Sequence, residues 1–202
     1  DWDIVVKRGS PFVNPIHCVL RKDGSLRPVM DLRNLNEKVI SPNIRVEPIN
    51  DIIHRMSGSK IFSSTDIKEA YHCIPLEENS IKYMSFLFEG RQYCMKRLVM
   101  GLRLSASVFQ EIMNKVFDYS VRSFIAVYIK DLFCHSVDEE THFVHLDYML
   151  GKLKDMNFSL NIRKCSFMVK TIECLGFILD GNKIQVHPRA NEAIIKFLLP
   201  KT

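Results

Sequence analysis

The chain lacks several features that would point to common classes of protein. No uninterrupted apolar run reaches the ~18 residues that a membrane-spanning helix needs, so no membrane partner is expected. The sequence also contains no glycine-rich phosphate loop, no convincing Ser-His-Asp or Cys-His set, no internal repeat and no low-complexity segment. These absences argue against a membrane protein, a P-loop nucleotide hydrolase, a triad hydrolase and a repeat protein.

Cysteine is present, but its pattern indicates neither disulfides nor a metal site. The six cysteines are scattered at positions 18, 73, 94, 134, 165 and 174, with no CxxC pair. Most of them lie in apolar runs typical of strands, so we expect buried, reduced thiols. This usage predicts an intracellular protein, in the cytoplasm or the nucleus.

Charge is unevenly distributed along the 202 residues, which carry a net charge of +5. Residues 91–122 have six basic and two acidic side chains, and residues 151–202 have nine and four. Residues 131–150 have five acidic side chains and no basic ones. The basic segments would suit a phosphate backbone, although an ordinary solvated surface explains them equally well.

Apolar periodicity predicts alternating short strands and helices. Hairpin turns are indicated at Asp23-Gly24 and Glu89-Gly90. The predicted strands are 17–22, 25–30, 60–65, 83–88, 91–96, 166–169, 173–179 and 183–186, and the predicted helices are 48–56, 106–117 and one that begins at Ser136. Ser136 with Glu139 three residues later has the pattern of a capping box. With 47% hydrophobic residues to form a core, the chain is typical of an α+β fold with an antiparallel sheet.

Two histidines fall on the last predicted helix. His142 and His145 are three residues apart, with Glu139 nearby, and this spacing could present a metal ligand face. No second ligand pair is evident, so a solvated amphipathic helix is the better interpretation.

The most informative stretch is Tyr128-Ile129-Lys130-Asp131. An apolar run, 124–127, precedes it and another, 132–134, follows it. This pattern predicts a hairpin whose tip side chains lie where a metal ion could sit.

Further motifs accompany this hairpin in a fixed order. They are Ser10-Pro11-Phe12-Val13-Asn14-Pro15, the blocks 22–36 and 62–72, Gly101-Leu102 with Phe109-Gln110, Leu160-Asn161 with Lys164-Cys165, and Leu175-Gly176-Phe177. In order and spacing they resemble the reverse transcriptase of gypsy-type LTR retrotransposons and, more distantly, retroviral enzymes. The hairpin resembles the YxDD motif of that family, with lysine in place of the first aspartate.

The resemblance implies an α+β fold with the fingers and palm subdomains of a right-hand polymerase, whose antiparallel palm sheet is backed by helices. It places the fingers at 1–41 and 74–104 and the palm at 42–73 and 105–202. Thumb and RNase H regions are expected to be absent, as in a piece of a longer protein.

The resemblance also implies roles for individual residues. Asp66 and Asp131 fall at positions that hold two magnesium ions in active relatives, and Lys130 at a degenerate third position. Nucleotide binding is implied for Arg21, Lys22, Arg27, Tyr71 and Met100, and primer or template contact for Arg33, Tyr128, Leu175 and Gly176. Taken one at a time, each residue has a plainer explanation as a turn, a surface ion pair or a part of the core.

The departures from the family pattern lie at positions to which the resemblance assigns metal or nucleotide binding. Lysine has no hydrogen-bond acceptor, so Lys130 cannot take over the role of a carboxylate ligand. The stretch 99–106 has lost both prolines and the asparagine of the PFGLxNAP motif. We therefore expect a catalytically inactive domain that needs no cofactor. Its Lys130 ammonium is expected to lie beside Asp66 and Asp131 and to donate hydrogen bonds to both.

Three functions remain open on this basis. The leading hypothesis is a scaffold that binds nucleic acid, either RNA or an RNA–DNA duplex, or a partner protein. The second is an active RNA-directed DNA polymerase that tolerates Lys130. The third is a protein-interaction or homodimerisation module that does not bind nucleic acid.

Overall fold

A computed structural model of the chain describes residues 3–20, 24–40, 44 and 46–188. The chain divides into two units, each built from two stretches. The first unit comprises residues 1–45 and 69–111, and the second comprises residues 46–68 and 112–202. The predicted fingers and palm boundaries at 41, 73 and 104 stay predictions.

The described regular structure consists of twelve strands, five α-helices and four short 3-10 helices. The strands are β1 Val5–Lys7, β2 Ile16–Leu20, β3 Leu26–Met30, β4 Ile61–Asp66, β5 Ser85–Phe88, β6 Arg91–Met95, β7 Ile125–Tyr128, β8 Asp131–Ser136, β9 Ser166–Val169, β10 Thr171–Cys174, β11 Phe177–Asp180 and β12 Lys183–Val186. The helices are α1 Arg33–Lys38, α2 Ile49–Met56, α3 Glu78–Ile81, α4 Ser105–Val116 and α5 Glu139–Asp155. Every strand pairing is antiparallel, as the sequence predicts.

The first unit holds a three-stranded sheet in the order β1-β6-β5 and a separate hairpin of β2 and β3. Glu89 and Gly90 join β5 to β6 with φ angles of +48° and +70°, which fits a two-residue hairpin turn. Buried apolar side chains form the core of this unit: Met30, Leu32, Met84, Phe86, Leu98, Val99 and Leu102.

The second unit is organised around a four-stranded sheet in the order β7-β8-β4-β9, with a three-stranded sheet, β10-β11-β12, beside it. Side chains alternate between the two faces of β4. Phe62 points into a core that includes Ile52 and Met56 of α2. The next residue, Ser63, binds His142 of α5 through its Oγ, at 2.8 Å. Helices therefore cover both faces of this sheet.

The start of α5 differs from the prediction. The capping box at Ser136 is wrong, because Asp138 is the N-cap and accepts a hydrogen bond from the Thr141 amide at 2.8 Å. Ser136 ends β8, and its Oγ lies 2.9 Å from Nδ1 of both His142 and His145. A serine with two imidazole partners is not free to cap the helix.

The interpretation of the α5 histidines as solvated is wrong for His142. This side chain is fully buried, and its two ring nitrogens lie within hydrogen-bond distance of Ser63 and Ser136. His145 is half-buried and stacks on Phe124, with ring centroids 3.9 Å apart.

Two further expectations need adjustment. The single strand predicted at 173–179 is two strands, because Leu175 and Gly176 make a turn with φ angles of +50° and +87°. All six cysteines are free, but only Cys94, Cys134 and Cys174 are buried, and Cys18 is exposed. The turn predicted at Asp23-Gly24 begins outside the described residues.

No helix in the described part of the chain is long and apolar enough to cross a membrane.

Candidate functional site

The pairing of β4 with β8 builds the centre of the candidate site. Asp66, the last residue of β4, lies directly opposite Asp131, the first residue of β8. Two residues, Ile129 and Lys130, connect Tyr128 of β7 to Asp131. Ile129 adopts a φ of +56°, a strained conformation for a β-branched side chain. The tight turn places the Lys130 side chain beside both carboxylates.

Lys130 lies between the two aspartates, as expected from the sequence. Its Nζ donates a hydrogen bond to Oδ1 of Asp66 and another, 3.0 Å long, to Oδ1 of Asp131. Burial alone would lower the pKa of Lys130, but the hydrogen bonds to the two carboxylates outweigh burial and raise that pKa above the usual lysine value. Lys130 is therefore a firmly charged ammonium at physiological pH.

A second ammonium group lies at the same aspartate. Lys164 Nζ is 3.5 Å from Oδ2 of Asp66. The backbone explains the approach, because the amide of Asn161 donates a 2.9 Å hydrogen bond to the carbonyl oxygen of Asp66. Sequence reasoning gave Lys164 no role. The sequence feature that could have identified Lys164 is the match of Leu160-Asn161 and Lys164-Cys165 to a family motif. Nothing in the sequence connected that motif to Asp66.

Three other predicted residues lie in the same unit. Tyr128 is half-buried and packs against the core cluster that contains Phe62. Leu175 also packs against that cluster, and Gly176 accepts a 2.8 Å hydrogen bond from the amide of His187 through its carbonyl oxygen. The structure therefore gives all three residues a packing or turn role, and their predicted contact with primer or template stays a prediction.

The described nucleotide-binding candidates lie in the first unit. An Arg27 guanidinium N–H contacts the sulfur of Met100. The ring of Tyr71 packs edge-on against Phe109, with centroids 5.9 Å apart. The structure therefore brings Arg27 to Met100, while Tyr71 lies half-buried against the core of this unit. Arg21 and Lys22 lie outside the described residues.

Arg33 is tied to a neighbouring carboxylate. Its guanidinium makes a 2.6 Å ion pair with Asp31, and these hydrogen bonds lower the pKa of Asp31 to about 2. Asp31 therefore stays ionised over the whole physiological range. The Arg33 side chain remains 87% exposed, so this pairing still leaves most of it accessible to a ligand.

The residues at the hairpin do not fit a pair of magnesium ions. Magnesium prefers oxygen ligands in octahedral geometry, whereas the group between Asp66 and Asp131 is a cationic nitrogen donor. No group of three or more histidine, cysteine, aspartate or glutamate side chains in the described regions is arranged to hold a metal ion.

Residues 19–179 match the family described as reverse transcriptase (RNA-dependent DNA polymerase). The chain belongs to the reverse transcriptase family. The matched range contains the blocks 22–36 and 62–72 and the hairpin at 128–131, and the sequence-based identification is confirmed.

The similar sequences are polyproteins of LTR retrotransposons. The chain is 31% identical to the retrovirus-related Pol polyprotein from transposon gypsy of Drosophila melanogaster, over 95% of this chain and 19% of the relative. It is 27% identical to the Pol polyprotein from transposon 297 of the same fly, over 98% and 19%. It is 30% identical to the Tf2-3 polyprotein of Schizosaccharomyces pombe, over 96% and 15%. The chain thus spans about a fifth or less of the length of these curated relatives.

Solved structures confirm the predicted α+β polymerase fold. A foamy viral protease-reverse transcriptase in complex with RNA/DNA hybrid matches with a TM-score of 0.85 and 20% identity, over 99% of this chain and 27% of that one. The same type of enzyme in complex with double-stranded DNA matches with a TM-score of 0.88 and 21% identity, over 98% and 35%.

Proposed function

We propose that this reverse transcriptase domain has lost metal-dependent nucleotide transfer and serves as a nucleic-acid-binding scaffold. One observation carries the proposal: the Lys130 ammonium is hydrogen-bonded to both Asp66 and Asp131, at the position where the family resemblance implies metal ions.

The electrostatics of that position oppose a divalent cation. Two cations carrying one and two charges repel each other by about 8 kcal/mol at 4 Å with an effective dielectric of 20. Solvent access lowers this cost, because 43% of the Lys130 side chain is exposed. Lys130 would relieve this repulsion only by leaving both carboxylates, whose charge it now neutralises. Two-metal catalysis needs ions that clamp the attacking and leaving oxygens, and these residues do not supply such a site.

Two observations support nucleic acid as the ligand. The segments 91–122 and 151–202 carry an excess of basic side chains, and such an excess favours binding to a phosphate backbone. Two of the structural neighbours with the same fold were solved in complex with an RNA/DNA hybrid or with double-stranded DNA.

Primer extension tests the loss of catalysis. We expect the purified full-length protein to add no deoxynucleotide to a primer on an RNA template with magnesium or manganese. A heat-denatured sample supplies the background, and an active retroviral reverse transcriptase supplies the positive control. Template-dependent incorporation that disappears in an Asp66→Ala variant would show that the domain is an active polymerase.

Fluorescence anisotropy with a labelled RNA–DNA duplex tests the scaffold role. We expect binding at low salt that weakens steeply as salt is raised, because counterions are released from the phosphates that the protein neutralises. If the protein does not bind the duplex at low salt, the scaffold proposal fails and a protein-interaction role takes its place.

A further inference from the structure

Helix α5 has a solvent-exposed side that carries large apolar residues. The residues that pack on the sheet are buried: His142, Leu146, Met149 and Leu153. Residues three or four positions apart lie on the same side of a helix. The residues on the side away from the sheet are all exposed, and together they form the outward face of α5: Glu140, Phe143, Val144, Asp147, Tyr148, Gly151, Lys154 and Asp155.

Phe143 and Val144 are the apolar centre of the outward face. Their exposed fractions are 63% and 68%. A single exposed apolar side chain is ordinary, but adjacent ones with a polar surround are typical of an interaction site. Helix α5 has 17 residues and is therefore about 25 Å long, which is enough to pack along a partner helix of four turns.

Gly151 lies on the same face, and the fold of this unit does not require a glycine there. Glycine is a poor helix former because it loses the most backbone freedom on folding. A Cβ atom built at Gly151 would meet no neighbouring atom within 4 Å. A glycine on an exposed helix face does, however, allow the backbone of a partner to approach closely.

The carboxylates of the outward face do not stabilise the helix itself. Asp155 is the last residue of α5, where the helix dipole favours a positive charge. Asp147 lies in the middle of the helix, where aspartate is a weak helix former. Neither they nor Glu140 form an ion pair within the part of the chain that the structure describes. Lys154 carries the only positive charge of the outward face, so the face is net negative.

We propose that the outward face of α5 is a docking surface for a basic amphipathic helix of a partner protein. Phe143 and Val144 contact the apolar side of that helix, and Gly151 allows the two backbones to approach. The carboxylates pair with lysine or arginine side chains that flank the partner's apolar side.

The negative charge of the face determines this choice of occupant. A second copy of α5 would place a second set of carboxylates against the first, and like charges on packed helices repel. The phosphates of a nucleic acid would be repelled in the same way. The inference is therefore independent of the proposed function.

Fluorescence anisotropy of the full-length protein with three labelled peptides tests the inference. The first peptide is a helix of about 15 residues with leucines at i, i+3, i+4 and i+7 and lysines at the flanking positions. The second has glutamates in place of the lysines, and the third has the residues of the first in scrambled order. We expect only the first to bind, with an affinity that falls as salt is raised, because salt screens exposed ion pairs.

Matched variants identify the surface that binds the peptide. Val144→Ser should weaken binding of the basic peptide by about fivefold. Ile162→Ser should have no effect, because Ile162 is 67% exposed but lies outside α5 in the same unit. Asp147→Asn should weaken binding by about two- to threefold and reduce its salt dependence. Asp51→Asn, which removes an exposed carboxylate from α2, should change neither quantity.

Variants at Gly151 separate docking from folding. Gly151→Ala should raise the melting temperature of the domain by about 2–4 °C, because alanine is the better helix former. Gly151→Leu should also be at least as stable as the native protein, but its longer side chain should weaken peptide binding by about tenfold. A role for Gly151 in folding alone would not combine unchanged or higher stability with weaker binding.

Four results would overturn the inference. The first is no binding of the basic peptide at up to about 1 mM, as expected if another segment of the longer chain covers the face. The second is equal binding of the glutamate peptide. The third is equal affinity of Val144→Ser and Ile162→Ser for the basic peptide. The fourth is a native dimer in sedimentation that Phe143→Ser abolishes, which would identify a second copy as the occupant. None of these results bears on duplex binding, so the proposed function is tested separately.

Discussion

Removal of the Lys130 charge should destabilise the folded chain. Asp66 and Asp131 are opposite each other across two antiparallel strands, so their Cβ atoms are about 5 Å apart. At an effective dielectric of ~20, two negative charges at that distance repel each other by about 3 kcal/mol. Lys130→Met removes the group that now offsets this repulsion.

Solvent exposure reduces the expected loss. The side chains of Lys130 and Asp131 are 43% and 39% exposed, so water screens part of the repulsion. We therefore expect Lys130→Met to lower the free energy of unfolding by about 2 kcal/mol. In a chain of this size, 1 kcal/mol corresponds to about 2–4 °C in melting temperature, so Tm should fall by about 4–8 °C.

The assay is thermal unfolding followed by circular dichroism, with and without magnesium. Lys130→Asp should lose more stability than Lys130→Met, because a third carboxylate joins the two already present. Magnesium at ten times its dissociation constant should return about 1.4 kcal/mol to Lys130→Asp, since it binds the folded state. The native protein should show no change with magnesium.

Controls separate this effect from a general loss of charge. Lys170→Met removes an exposed lysine with no recorded ion pair in the described structure and should leave Tm unchanged. Lys164→Met removes the more exposed partner of Asp66 and should cost less than about 1 kcal/mol. A Lys130→Met protein that is as stable as the native one, or a native protein that magnesium stabilises, would refute the idea that the ammonium replaces metal.

Three further outcomes are expected. Burial lowers the pKa of His135 from 6.5 to about 4, so the unfolded chain binds a proton there first as the pH falls. The contribution of His135 to the free energy of unfolding is thus complete above about pH 6.5 and declines by about 3 kcal/mol as the pH falls to about 4. Urea titrations at several pH values should show a smaller decline in the free energy of unfolding for His135→Asn. Replacing both Arg27 and Arg33 with alanine should flatten the salt dependence of duplex binding if the first unit contacts phosphates, and an unchanged slope would remove that unit from the interface. Phe62→Ala should cost about 3–5 kcal/mol in urea unfolding, because the ring is fully buried in the second unit's core, and a loss below 1 kcal/mol would contradict that placement.

Much of the fold follows from patterns that are local in the chain. Glu89-Gly90 and Tyr128 to Asp131 are bounded by apolar runs, and hairpins of this length are decided by a few adjacent residues. The alternation of Phe62 and Ser63 assigns one side chain to each face of β4, since the side-chain period of a strand is two. The contact of Lys130 with Asp131 is likewise local, because the two residues are neighbours at a tight turn.

The errors occurred where a local pattern competed with a contact made by folding. Ser136 and Glu139 have the spacing of a capping box, but packing of α5 on the sheet gives the Ser136 hydroxyl two histidine partners. Asp138 caps the helix instead. Likewise, the apolar run from 173 to 179 looks like one strand until Leu175 and Gly176 turn it back on itself.

The sequence by itself determined the family, the antiparallel architecture and the presence of a lysine at the hairpin, because each of these follows from residue types at short spacing. Only the tertiary structure decided that Lys164 would face Asp66. These residues are 98 positions apart, and no short-range pattern encodes their approach. That contact depends on the register by which the segment after α5 pairs with the end of β4, and this register is set when the whole sheet and its helices pack together.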